Sequence, residues 1–127
     1  MIDIPELPPS PNARLHHMQR YRSNKHFKAM TMLLLLDKRP REPWPCVAIE
    51  YTWHSSRRTD LDNITAACKP ILDGIVHAGV IADDSPHIVV RIDARWKKSP
   101  RKEAHVRVSV MRIDPPQGKD CTEENAV

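Results

Sequence analysis

Five carboxylates and one lysine crowd into a single stretch, RRTDLDNITAACKPILDGIVHAGVIADDS, residues 57–85. Asp60 and Asp62 open it, Lys69 and Asp73 lie four apart in its middle, and Asp83 and Asp84 stand together near its end. Carboxylates that meet from a helix start and a loop make a hard pocket of oxygen ligands. Magnesium takes such pockets, keeping several of its waters and completing its shell with substrate phosphate. An ion held there polarises a phosphoryl oxygen, activates a water and neutralises the leaving oxygen. A lysine beside it stabilises charge developing on the phosphate, or balances the carboxylates. These are the parts of metal-assisted phosphodiester hydrolysis. They are equally the parts of a capped helix followed by an acidic turn, and spacing alone does not separate the two.

The elements that must position these groups are legible in the periodicity. Ile64, Ala67, Cys68, Ile71, Leu72, Ile75 and Val76 recur at helical spacing, which predicts one amphipathic helix from Asp60 or Asp62 to His77. At about 100° per residue, Asp62, Ala66, Lys69 and Asp73 fall on the opposite side, within about 60° of one another. Pro70 inside this span predicts a kink or a late helix start, and Gly79 predicts its end. Alternating apolar residues predict strands at Val47–Trp53, Ile88–Trp96 and His105–Ile113. Glu50 reads as a solvated strand residue.

The last two of these strands read as an antiparallel hairpin with a basic tip at Lys97–Ala104. Strand, helix and strand before the tip read as a right-handed crossover. Upstream, four prolines in residues 1–12 predict an extended lead-in. A helix capped by Ser23 or Asn24 then runs to about Leu36, burying Phe27, Met30, Leu33 and Leu34. Tyr21 and Trp96 read as core aromatics. The expected fold is therefore α+β: a small mixed sheet of about three to four strands, a central amphipathic helix and an N-terminal helix. It forms one domain over residues 1–113, with a polar, disordered tail at 114–127.

Charge supplies the next clue. The chain carries a formal net charge of +4, but the distribution says more. Residues 12–113 hold 19 Lys and Arg against 10 Asp and Glu, and half of those acids sit in the central stretch. A basic body with one concentrated acidic spot fits a polyanion partner and a metal site. Cys46, Cys68 and Cys121 are too few and too far apart for a disulfide framework or a zinc site. Their odd count fits a reducing, intracellular location. The longest apolar run, Met30–Leu36, is far too short to span a bilayer and follows no signal pattern, so no membrane role is expected. His16 and His17 are adjacent and point apart on a regular element, which argues against a histidine metal site.

Three motifs, taken in order, carry a resemblance: Asp60-Leu61-Asp62-Asn63, then Lys69-Pro70-Ile71-Leu72-Asp73-Gly74, then Ile81-Ala82-Asp83-Asp84-Ser85. Together they resemble the signature of the RusA family of Holliday-junction resolvases, small endonucleases of phages and prophages. Pro8-Pro9-Ser10-Pro11-Asn12-Ala13-Arg14 is similar to that family's Pro-Pro-Ser-Asn-rich start, so the likeness spans about residues 8–113. The resemblance implies a RusA-like fold and a homodimer that nicks four-way DNA junctions symmetrically, in recombination and repair, with magnesium or manganese. It implies Asp60, Asp62 and Asp84 as metal ligands, Lys69 as the catalytic lysine, and Asp83 and Asp73 as supporting residues.

One departure stands out. The family's lysine comes four residues after the second aspartate; here Ala66 stands at that place and Lys69 follows three later. DNA phosphates would be gripped by a basic rim of Arg14, Arg20, Arg22, Arg57, Arg58, Lys97, Lys98, Arg101 and Lys102. Two other classes fit the same composition: a non-catalytic DNA-binding module, and a small RNA-binding or phage structural protein.

Overall fold

The structure, a computed structural model, describes residues 1–11 and 13–113. The tail expected at 114–127 lies outside them, as does Asn12. The described residues form a small α+β domain: a four-stranded mixed sheet with three α-helices. In chain order these are β1 (Ile2–Ile4), α1 (His17–Leu34), β2 (Val47–Ser55), α2 (Leu61–Ala67), α3 (Lys69–His77), β3 (Val89–Lys98) and β4 (His105–Arg112), with a short 3-10 turn at Arg101–Glu103. No helix among the described residues is long and apolar enough to cross a membrane.

The sheet order is β1-β4-β2-β3. β2 runs parallel to β3 and antiparallel to β4, and β1 pairs antiparallel with β4. The expected hairpin is therefore corrected: β3 and β4 are consecutive in the chain but lie on opposite sides of β2. The basic segment between them crosses the end of β2, where the Ser99 amide donates to the Ser55 carbonyl at 2.9 Å. Alternation identified each strand but carried no information on which strand it would pair with. β1 also falls in the stretch expected only to be extended; Ile2 and Ile4 bury fully against the sheet because every second residue faces the core.

One face of the sheet holds the core. Val47, Ile49, Tyr51 and Trp53 of β2 point into it with Val106 and Val108 of β4, all 5% exposed or less. Each such side chain contributes about 1.5–3 kcal/mol by leaving water. Ala94 and Trp96 of β3 pack against that core. They reach the same face as Tyr51 and Trp53 because Val90 is an extra residue: Val89 pairs with Val47, yet Arg91 pairs with Ala48.

The helical layer departs from expectation at three places. α1 begins earlier than Ser23, because His16 caps it. The His16 ring accepts the Met18 amide at 3.3 Å, and the Gln19 side chain accepts the His16 amide at 3.1 Å. Its buried residues are Phe27 and Thr31, while Leu33 is 70% and Tyr21 61% exposed. The expected stripe missed Thr31, whose hydroxyl donates to the Phe27 carbonyl at 2.7 Å and so loses its need for water.

The central helix is two helices, not one. It breaks at Cys68 (φ −86°, ψ 4°), and Pro70 sits in the first turn of α3, where its missing N–H costs nothing. Pro70 was expected to bring a kink or a late start; the helical stretch begins at Leu61 and is instead interrupted at Cys68. α3 ends at Gly79, whose φ of +87° lets its amide reach the Val76 carbonyl and the Val80 amide reach that of Ile75.

Candidate functional site

Lys69 is the first residue of α3, and the break at Cys68 is what places it at a helix start. Its ammonium sits between two carboxylates. Asp73, one turn on, is 3.2 Å away, and Asp84 from the loop before β3 forms a closer ion pair with it. The hydrogen bond from Lys69, first, holds the Asp84 carboxyl below the usual carboxylate range; reciprocally, Asp84 and then Asp73 raise the Lys69 ammonium. Both side chains remain about half exposed, so the pair is reachable from solvent. Asp83 accepts the Ser85 amide at 2.8 Å, closing the turn that presents Asp84, and hydrogen bonding to Ser85 depresses its own carboxyl.

Asp60 and Asp62 belong to the loop after β2 and the first turn of α2. Asp60 occupies the N-cap position, yet its side chain makes no capping hydrogen bond. That observation removes the simplest structural role for Asp60. Asp62 is exposed. The two therefore stand at the start of α2, while Lys69 stands beyond its end; seven helical residues separate the ends by about 10 Å. Among the described residues, no three His, Cys, Asp or Glu side chains gather as a ready ligand set. What the structure brings together is Lys69, Asp73 and Asp84.

No protein-family model matches this chain, and no curated protein matches it.

The basic residues divide into two groups. Arg57 and Arg58, exposed in the loop after β2, share one end of the sheet with Lys97 and Lys98 at the end of β3 and with Arg101 and Lys102 in the 3-10 turn. The parallel register sets Lys97 beside His54 and Lys98 beside Ser55. Arg14, Arg20 and Arg22 belong to the start of α1 and the residues before it. Arg20 is tied down, its guanidinium donating to the Ala13 carbonyl at 2.9 Å.

Two features escaped the sequence. The indole of Trp96 donates to the Ser55 hydroxyl at 2.9 Å and to the Arg57 carbonyl at 3.1 Å. It thereby braces the loop that leads to Asp60. Trp96 was read as core, and an alternating strand gives no hint of a partner 39 residues away. The second is a cleft of about 140 Å³ between the proline-rich lead-in, α1 and the α2–α3 break. Pro9, Arg20, Asn24, Ala67, Lys69 and Asp73 are among its lining residues. Asn24, an expected helix cap, lies inside α1 instead.

Proposed function

We propose that this chain is a structure-selective endodeoxyribonuclease that nicks branched DNA with a divalent cation, as its resemblance to the RusA resolvases implies. One observation carries the reading: Asp84 and Lys69, members of separate motifs 15 residues apart, meet in an ion pair. A solvent-accessible lysine kept protonated by two carboxylates is a fixed positive charge, suited to a phosphoryl oxygen as negative charge builds on it. Asp60, free of a capping duty, and Asp62 add carboxylates at the other end of α2, about 10 Å away.

The donor chemistry fits a hard cation, since every candidate ligand is a carboxylate oxygen. The resemblance implies Asp60, Asp62 and Asp84 for magnesium, or manganese in its place; since these acids do not gather as a ready set among the described residues, an ion would have to draw them together. When bound, the ion supplies Lewis acidity and an activated water. The chain's own contribution is to hold Lys69 charged, to position Asp84 through the Asp83–Ser85 turn, and to grip the DNA backbone through its basic residues. A homodimer would set two such sites about a two-fold axis, matching the two opposed strands of a four-way junction.

The test is a synthetic four-way junction incubated with protein, with and without magnesium, and resolved on a denaturing gel. Paired nicks that need the ion are expected, and Asp62→Asn should remove them while keeping junction binding. Unimpaired nicking by Asp62→Asn overturns the assignment of the acids. Junction binding without nicking in any divalent ion favours the non-catalytic DNA-binding reading, which the saturation of Lys69 by two carboxylates supports.

A further inference from the structure

We infer that the cleft between the proline-rich lead-in, α1 and α3 is a pocket for an unstacked nucleobase, with Asn24 contacting the edge of the base. The inference rests on the branched-DNA reading above and adds to it a site for the base beside the reacting phosphate. Four observations carry it.

The first is size. A cleft of about 140 Å³ suits one flat heterocycle and is too small for a base pair. The second is the walls. Pro9, Pro11, Pro70 and Ala67 give it apolar surface for one face of a base, while the greater part of its lining is polar and is left for the base edge.

The third is the polar set, which decides between ligands. Asp73 lines the cleft alongside Lys69 and Arg20. A phosphate entering there would face the Asp73 carboxylate. A base edge carries donors as well as acceptors, and so suits an aspartate, a lysine and the two-sided amide of Asn24 together. The fourth is rigidity. The bond from Arg20 to the Ala13 carbonyl fixes a planar guanidinium at the cleft, and bases stack on such planes.

The location fits the chemistry. Lys69 lines the cleft and also holds Asp84, so a base in the cleft lies next to the lysine proposed to act on the phosphodiester. Branch points supply bases whose stacking is already interrupted, which lowers the cost of drawing one out. The same cleft therefore favours branched DNA over continuous duplex.

The test uses a four-way junction with 2-aminopurine at the branch point, in calcium without magnesium, so that binding is read without cleavage. Saturating wild-type protein should raise the emission by about threefold as the base leaves its stack. Asn24→Ala, and Ala66→Phe, which puts a bulky ring at the cleft wall, should lose most of that rise while junction affinity in a gel shift changes by less than about threefold, since phosphate contacts dominate it. Asn24 and Ala66 are both exposed, so neither change threatens folding. An unchanged rise in both variants, or no rise with saturating wild type, overturns the pocket. Failure to nick in magnesium would overturn the nuclease reading alone, because the emission is measured without it.

Discussion

Two regions of the molecule use the same ionic chemistry with different stoichiometry. On the sheet face away from the helices, the ion pairs are one to one. Arg91 pairs with Asp93 at 3.0 Å, Arg95 with Glu50 at 3.6 Å and Arg107 with Asp3 at 2.8 Å. These are neighbours on or across strands, and each cation has its own acid. At the α2–α3 break one lysine serves two acids, Asp73 and Asp84, with Asp83 adjacent. The first arrangement neutralises itself. The second leaves the trio one negative charge in excess at an accessible place within an otherwise basic chain, with Arg20 lining the adjoining cleft. An excess of that kind attracts a cation, and a balanced ladder does not. The difference teaches that acids here are informative through their ratio to local cations rather than through their number. Glu50, read as a solvated strand residue, proves to be one member of a balanced pair.

The largest expected effect separates the two regions directly. We predict that Lys69→Met lowers junction nicking by about 10²–10³-fold, the usual loss when one charge-stabilising donor is removed. Arg95→Met should leave nicking unchanged. Equal losses in the same gel assay would erase the distinction drawn between the regions.

Next comes the contact that seats the cleft. A Cβ on Gly74 would stand 2.6 Å from the Thr31 Cβ and 2.8 Å from the Lys28 carbonyl oxygen. Backbone cannot yield as a side-chain tip can, so α1 and α3 must part. Gly74→Ala should destabilise the domain by about 1–3 kcal/mol by urea denaturation, despite the helix propensity that alanine adds. Unchanged or greater stability would show that α1 is not held against α3 as described.

A smaller effect sharpens the account of the open face. At its end, His54 and His105 stack with centroids 4.1 Å apart and planes 9° from parallel. Desolvation first, then His105, Lys97 and Arg107, lowers the His54 imidazole below its ordinary range, while Asp3 acts weakly against this. A histidine whose folded pKa is depressed binds fewer protons folded than unfolded, so it supports stability above about pH 6.5 and loses that support as pH falls through its folded value. Stability should decline on acidification below that point, and His54→Gln should flatten the decline in thermal melts. The least effect belongs to the ladder itself. A double-mutant cycle on Arg95 and Glu50 should return about 0.2–1 kcal/mol, as for other exposed pairs.

Much of this was legible beforehand, for local reasons. The strands at β2, β3 and β4 were visible because side chains alternate across a pleat. The stop at Gly79 was visible because only glycine accepts its φ readily. An irregularity at Pro70 was visible because proline cannot sit deep in a helix. What failed was partly local and partly long-range. His16 was passed over as a cap because its ring is an uncommon N-cap acceptor. The hairpin was drawn between consecutive strands because sequence order is a poor guide to pairing when β2 takes both neighbours. The site was half legible: the acids and Lys69 stood out by type and spacing, whereas Trp96 braces Ser55 and Arg57, partners far away in the chain.

The sequence by itself determined the α+β character, the core faces of β2 and β4, the stop at Gly79 and the inventory of charged groups. Those follow from side-chain period and backbone sterics, which act over a few residues. Tertiary structure alone decided that β2 would separate β3 from β4, that Lys69 would take Asp84 as well as Asp73, and that a proline-walled cleft would open beside them. Each of these joins segments whose meeting depends on how helices and strands pack as whole bodies. No local pattern encodes that, because the free energy that selects it belongs to the shared core.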